Sequence, residues 1–135
     1  MLLLAGLLIP SCSEIEIAKF IEGSWELTGY YRNDVDETSE MLISNYMEVY
    51  NLDGTFFRSY TDGKQIPVEE TGTFEIDDEG NTIHISDVSS ISDFSEAHSS
   101  LSTSTITVEI LDRSEYAYSF ENGGDKHEFR FTLKE

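Results

Sequence analysis

The chain has 135 residues, 39% apolar and 12% aromatic, enough for one domain with its own core and too few for two. Its 27 acidic against 8 basic residues give a net charge of −19, which repels nucleic acid and anionic headgroups and argues against phosphate-backbone binding. Such a surface favours solubility and cationic partners.

The N-terminus reads MLLLAGLLIPSC, an apolar run of signal-peptide length that is too short to span a bilayer and ends at the sole cysteine. A single thiol cannot form an internal disulfide. Leu8-Ile9-Pro10-Ser11-Cys12 resembles a bacterial lipobox. That resemblance implies cleavage after residue 11, a lipid on Cys12 and a mature domain over 12–135 in the cell envelope, at the outer membrane and facing the periplasm or the surface. Each buried acyl methylene contributes about 0.8 kcal/mol, so more than one chain holds such a protein stably on a membrane.

Ile15, Ile17, Ala18, Phe20 and Ile21 recur at helical spacing and predict one short helix. At Ser24 the period changes to two, with Trp25, Leu27, Gly29 and Tyr31 on one face, which marks the first strand. Residues 33–42 are polar and acidic and read as a long loop, either a lid or a solvated connector. Asp53-Gly54 joins strands 44–52 and 55–61 in a tight hairpin, because these residues tolerate the positive backbone angles the turn needs.

Pro67 keeps its surroundings off a central strand, and strands follow at 69–77 and 81–87 across the Asp78-Glu79-Gly80 turn. Residues 88–104 contain eight serines and form a loop too long for a hairpin turn, with room for one helical turn over 92–98. Strand 105–111 turns Ile106, Val108 and Ile110 to one face. Strand 115–121 alternates Tyr116, Tyr118 and Phe120 with polar groups, and 126–133 closes the set with Phe129, Phe131 and Leu133.

Eight strands with one apolar face each cannot be covered by one short helix, so the sheet must bury that face by closing on itself. The fold class is therefore all-β: an eight-stranded antiparallel up-and-down barrel with a short N-terminal helix. At this strand number the interior is filled by side chains or holds one small ligand.

In order, Gly23-Ser24-Trp25-Glu26-Leu27, Tyr50-Asn51-Leu52-Asp53-Gly54-Thr55-Phe56, Gly72-Thr73-Phe74-Glu75-Ile76-Asp77, Gly80-Asn81-Thr82-Ile83 and Glu128-Phe129-Arg130-Phe131 resemble the small lipocalin-like lipoproteins of Bacteroidetes. The resemblance implies a calycin-like barrel with a cavity or a packed core, and it assigns structural roles to Gly23, Trp25 and Arg130. In that family a basic residue of the last strand packs over the tryptophan at the closed end. Arg130 is the positional match, although strict alternation turns it outward.

The inward set Trp25, Tyr31, Phe74, Tyr116, Tyr118, Phe120, Phe129 and Phe131 is either core or pocket lining. As a pocket, Tyr31, Phe74, Tyr116, Tyr118, Phe120 and Phe129 would contact a small hydrophobic ligand. Nothing in the sequence brings His84, His98 and His127 together, and no metal site or cofactor is read from them. The serines lack a nucleophile elbow, there is no glycine-rich phosphate loop, and Glu75 to Gly80 lacks the twelfth-position carboxylate of a calcium loop. Binding is expected rather than catalysis, either of a small molecule inside the barrel or of a protein or glycan through the acidic loops of a packed one.

Overall fold

The computed structural model describes residues 15–135, so the readings on the leader 1–11 and on Cys12 lie outside the described residues. The helical pattern gives a single turn, α1 (Ile17–Phe20), with Ile17 and Ile21 buried beneath it. The strands are β1 (Gly23–Arg32), β2 (Val35–Asp36), β3 (Ser44–Tyr50), β4 (Thr55–Thr61), β5 (Pro67–Asp77) and β6 (Thr82–Ser86). They continue with β7 (Ile91–Ser95), β8 (His98–Leu101), β9 (Thr105–Leu111), β10 (Glu115–Asn122) and β11 (Asp125–Leu133).

Among the described residues β1, β3, β4, β5, β6, β9, β10 and β11 pair in that order, and β11 pairs back onto β1. All of these pairings are antiparallel, so the eight-stranded up-and-down barrel expected from the alternation is the fold. Short turns account for the meander. Asp53 Oδ1 accepts from the Thr55 N–H at 3.0 Å and from its hydroxyl at 2.6 Å, while Gly54 takes φ +89°. Pro67 stands at the first position of β5, where its missing N–H is tolerated. At Gly23 the chain turns from α1 into β1 at φ +139°, a backbone angle that L side chains rarely adopt, so the position favours glycine.

Two β-bulges overturn the parity expected from the sequence. The register of β1 on β11 shifts between Leu27 and Gly29, leaving Thr28 as the extra residue. Beyond it Tyr30, not Tyr31, points inward and is fully buried, while Tyr31 is left half-exposed on the outer face. A second bulge, at Glu109 against Ala117 and Tyr118, turns Ile110 out and Leu111 in. Period counting cannot register either insertion, because a bulge reverses sidedness without altering composition.

The serine-rich segment also differs from expectation. In place of a helical turn, β7 and β8 form a separate two-stranded sheet. Its Ile91, Phe94 and Leu101 are buried in the core.

Candidate functional site

The barrel interior has three levels. At the closed end Trp25 is fully buried, donates its indole N–H to the Ile21 carbonyl at 2.9 Å and packs on Tyr116 with centroids 5.4 Å apart. Arg130 takes no part in this. It stands outside, with its guanidinium 4.2 Å from the Tyr31 ring centroid and 2.6 Å from Glu128 Oε2. The expected pairing of Arg130 with the tryptophan is thus corrected. The Thr28 bulge moves Tyr31 to the outer face, where it supplies the aromatic surface that Arg130 covers. Phe74 belongs to the same end, half-buried and edge-on to Tyr50 at 5.1 Å.

The middle level is built around a buried carboxylate. Alternation along β3 turns Tyr46, Glu48 and Tyr50 inward together, all buried. Glu48 Oε2 accepts from the Tyr46 hydroxyl at 2.6 Å and from Tyr118 at 2.5 Å, and Oε1 accepts from Tyr50 at 2.7 Å. With its proton committed to Glu48, Tyr50 accepts in turn from Tyr116 at 2.9 Å. Burial pushes the Glu48 carboxyl above its ordinary range, while the three phenols and the charge of Arg58 pull the other way.

Arg58, directly across the ladder from Glu48, is itself buried, donates Nε to Glu70 Oε1 at 2.7 Å and hydrogen-bonds the Ser89 carbonyl. Tyr116, Tyr118 and Phe129 pack with Phe131 into one aromatic stack, Tyr116 and Phe131 having centroids 5.3 Å apart. Side chains therefore fill the interior at this depth.

At the mouth the β7–β8 hairpin acts as a plug. Phe94 sits edge-on to Tyr30 at 5.3 Å and packs against His127 and Phe129. The loop 33–42 backs the plug from outside. The Leu42 N–H donates to the Phe94 carbonyl at 2.7 Å, the Glu96 N–H donates to the Glu40 carbonyl at 3.0 Å, and Met41 bridges Ser95. The two long loops of the sequence thus pair with each other through their backbones.

Two of the three histidines meet where the plug rests on the barrel. His127 on β11 and His98 on β8 have ring centroids 4.5 Å apart. His127 Nδ1 is 2.8 Å from the Tyr30 hydroxyl, and His98 Nε2 is 3.4 Å from Asp125 Oδ2 without the geometry of a hydrogen bond. Burial, and then the neighbouring His98, lower the pKa of His127. His84, by contrast, is exposed and hydrogen-bonded to Thr105 at 2.7 Å, as its face predicted.

Among the described residues, the buried side-chain polar atoms without a hydrogen-bond partner are Ser95 Oγ, His98 Nε2 and His127 Nε2. All three belong to the mouth. Burial, and then the charge of Glu37, push the Tyr30 phenol up to about 12; Arg32 and the nearby Ser95 hydroxyl temper the rise, though Ser95 forms no well-shaped hydrogen bond.

Of the ligand candidates from the sequence, Tyr116, Tyr118, Phe120 and Phe129 are brought together inside the barrel, with Phe120 stacked on His127 at 5.3 Å. Phe74 lies at the opposite end, and Tyr31 is outside. Sequence reading missed Glu48, Arg58, Tyr30 and the His98–His127 pair. The pattern Tyr46-x-Glu48-x-Tyr50 carried a usable signal, an acid on the aromatic face of a strand. Asp125-x-His127 likewise places two metal-type donors on one face, but nothing local foretells that His98 joins them.

The lipocalin-like domain family matches residues 21–111. Among solved structures, a lipocalin-like protein from Bacteroides uniformis superposes with a TM-score of 0.51 at 18% identity, over 82% of this chain and 96% of that one. A de novo designed fluorescence-activating β-barrel gives a TM-score of 0.49 at 12% identity, over 89% of this chain and 99% of the design. No curated protein matches the sequence.

Proposed function

The chain belongs to the lipocalin-like domain family, and from that premise we propose that it is a binding protein of the bacterial cell envelope. It is held to the membrane by lipid on Cys12 and takes up a small apolar or amphipathic molecule at the barrel mouth. The supporting observation is the plug. A hairpin that shares no ladder with the barrel sheet places Ile91, Phe94 and Leu101 in the opening, where a ligand of similar character would stand. Beneath it Phe120 and Phe129 line the way in. This is a reading of binding, not catalysis.

A second reading rests on the aromatic packing of the middle level, where Tyr116 and Tyr118 lie against Phe131. In it the barrel is a packed scaffold, and its acidic loops meet a protein or glycan.

Native mass spectrometry of protein taken from the membrane fraction of its own cells separates the two and tests the anchor. We expect a peptide mass beginning at Cys12 with acyl modification, and a small molecule that leaves on activation. Empty protein in repeated preparations favours the packed scaffold. An unmodified Cys12 refutes the lipid anchor.

A further inference from the structure

We propose that His98, Asp125 and His127 form a site for a divalent transition metal of the zinc class, and that the metal clasps the plug hairpin to the barrel. One nitrogen of each imidazole and one oxygen of Asp125 all lie within 4.8 Å of one another. Two imidazoles and a carboxylate are the donor set of a three-ligand zinc site, with the fourth position left to water or a bound molecule. Donors on a tetrahedral zinc stand about 3.3 Å apart, so the side chains close on the metal by moving about an ångström.

Two further observations point to an absent partner. The Nε2 atoms of His98 and His127 are buried and lack a hydrogen-bond partner, that of His98 having only Asp125 Oδ2 near it at 3.4 Å, which costs free energy unless something else meets them. In addition, the other nitrogen of His127 is already fixed. Tyr30 Oη stands 2.8 Å from Nδ1, so a proton on Nδ1 donated to that hydroxyl leaves the Nε2 lone pair free. This is the outer-shell arrangement that orients metal-binding imidazoles. Asp125 is steadied by Asn33, which donates to Oδ1 at 2.9 Å, and by Arg32 at 3.4 Å from Oδ2. The net charge of −19 raises the local concentration of cations.

The ligands come from two separate elements. His98 lies on β8 of the plug, whereas Asp125 and His127 lie on β11 of the barrel. A metal here ties the plug down whether or not the barrel takes up an organic ligand, so the site goes beyond the binding function proposed above.

Cobalt(II) is the probe, titrated into the full chain carrying Cys12→Ser so that no free thiol competes. The expected result is one Co2+ per chain with the strong visible absorption of low-coordinate cobalt, displaced by Zn2+. His98→Gln and Asp125→Asn should each weaken binding at least tenfold, and His84→Gln should leave it unchanged. Zn2+ should also slow amide exchange over residues 91–101 in the parent and not in His98→Gln. His98 and Asp125 are only half-buried, so both variants should keep the parent near-UV dichroism. Weak multiple binding without the absorption band, or a band that survives His98→Gln, overturns the site. Ligand retention measured in chelator tests the binding function separately.

Discussion

Two buried polar clusters lie within the same barrel, and they differ in whether their atoms have partners. In the middle, both oxygens of Glu48 are met by phenols, and Tyr116 completes the chain through Tyr50. At the mouth, Ser95 Oγ and His127 Nε2 have no hydrogen-bond partner, and His98 Nε2 faces Asp125 Oδ2 at 3.4 Å without bonding it. A satisfied network rigidifies a core and specifies one packing, whereas buried donors and acceptors left open carry a penalty that persists only where something else offsets it. The middle is therefore a structural cluster, and the mouth is where the proposed ligand and metal would act.

The strongest test of the middle is alkali. Burial first, and the Glu48 charge second, hold the phenols of Tyr46, Tyr50 and Tyr118 well above 10, and the same two causes act on Tyr116. In the unfolded chain these groups ionise near pH 10. Above that pH the folded state keeps up to four protons that the unfolded state has lost, so stability falls as pH rises, by up to about 5.5 kcal/mol per pH unit. Phenolate absorbance from these tyrosines and loss of near-UV dichroism should rise in one cooperative step above about pH 10. Phenolate appearing smoothly while the fold persists would show that solvent reaches the cluster.

Next in size is Glu48→Ala, which leaves three phenols without their acceptor and takes a nearby negative charge from the buried Arg58, and should cost about 3 to 5 kcal/mol in urea unfolding. Glu48→Gln, which keeps one acceptor oxygen but turns an N–H towards a phenol donor, should cost about 1 to 3 kcal/mol. A loss below about 1 kcal/mol for the alanine variant would mean that the network relaxes around the gap, and the contrast with the mouth would then fail.

The barrel was legible in the sequence because its evidence is repetitive. Period-two alternation recurs from Trp25 to Leu133, and turns such as Asp53-Gly54 carry their own backbone preference. Tyr116, Tyr118, Phe120 and Phe129 follow from that alternation alone. The site was less legible because its decisive features are single events. One inserted residue at Thr28 exchanges Tyr31 for Tyr30, and with it moves the surface that Arg130 covers. The meeting of His98 with His127 depends on the plug folding back over the mouth, a long-range contact that serine-rich composition does not encode. Read by composition, 88–104 is a loop; its Ile91, Phe94 and Leu101 make it a hairpin only because the barrel mouth offers them an apolar seat.

The smallest effect tests the other side of the contrast. Ser95 is 2% exposed and its hydroxyl has no well-formed partner, so burying it costs free energy that no bond recovers. Ser95→Ala removes the hydroxyl and keeps the backbone bridge to Met41. It should therefore leave stability unchanged or raise it by up to about 1 kcal/mol, the opposite sign from any change at Glu48. Because the plug shares no ladder with the barrel, the gain should appear first as slower amide exchange over residues 91–101 and only weakly in global unfolding. A loss of more than about 1 kcal/mol would show that the hydroxyl is bonded after all, through water or through Tyr30, and would place Ser95 with Glu48 among the satisfied groups.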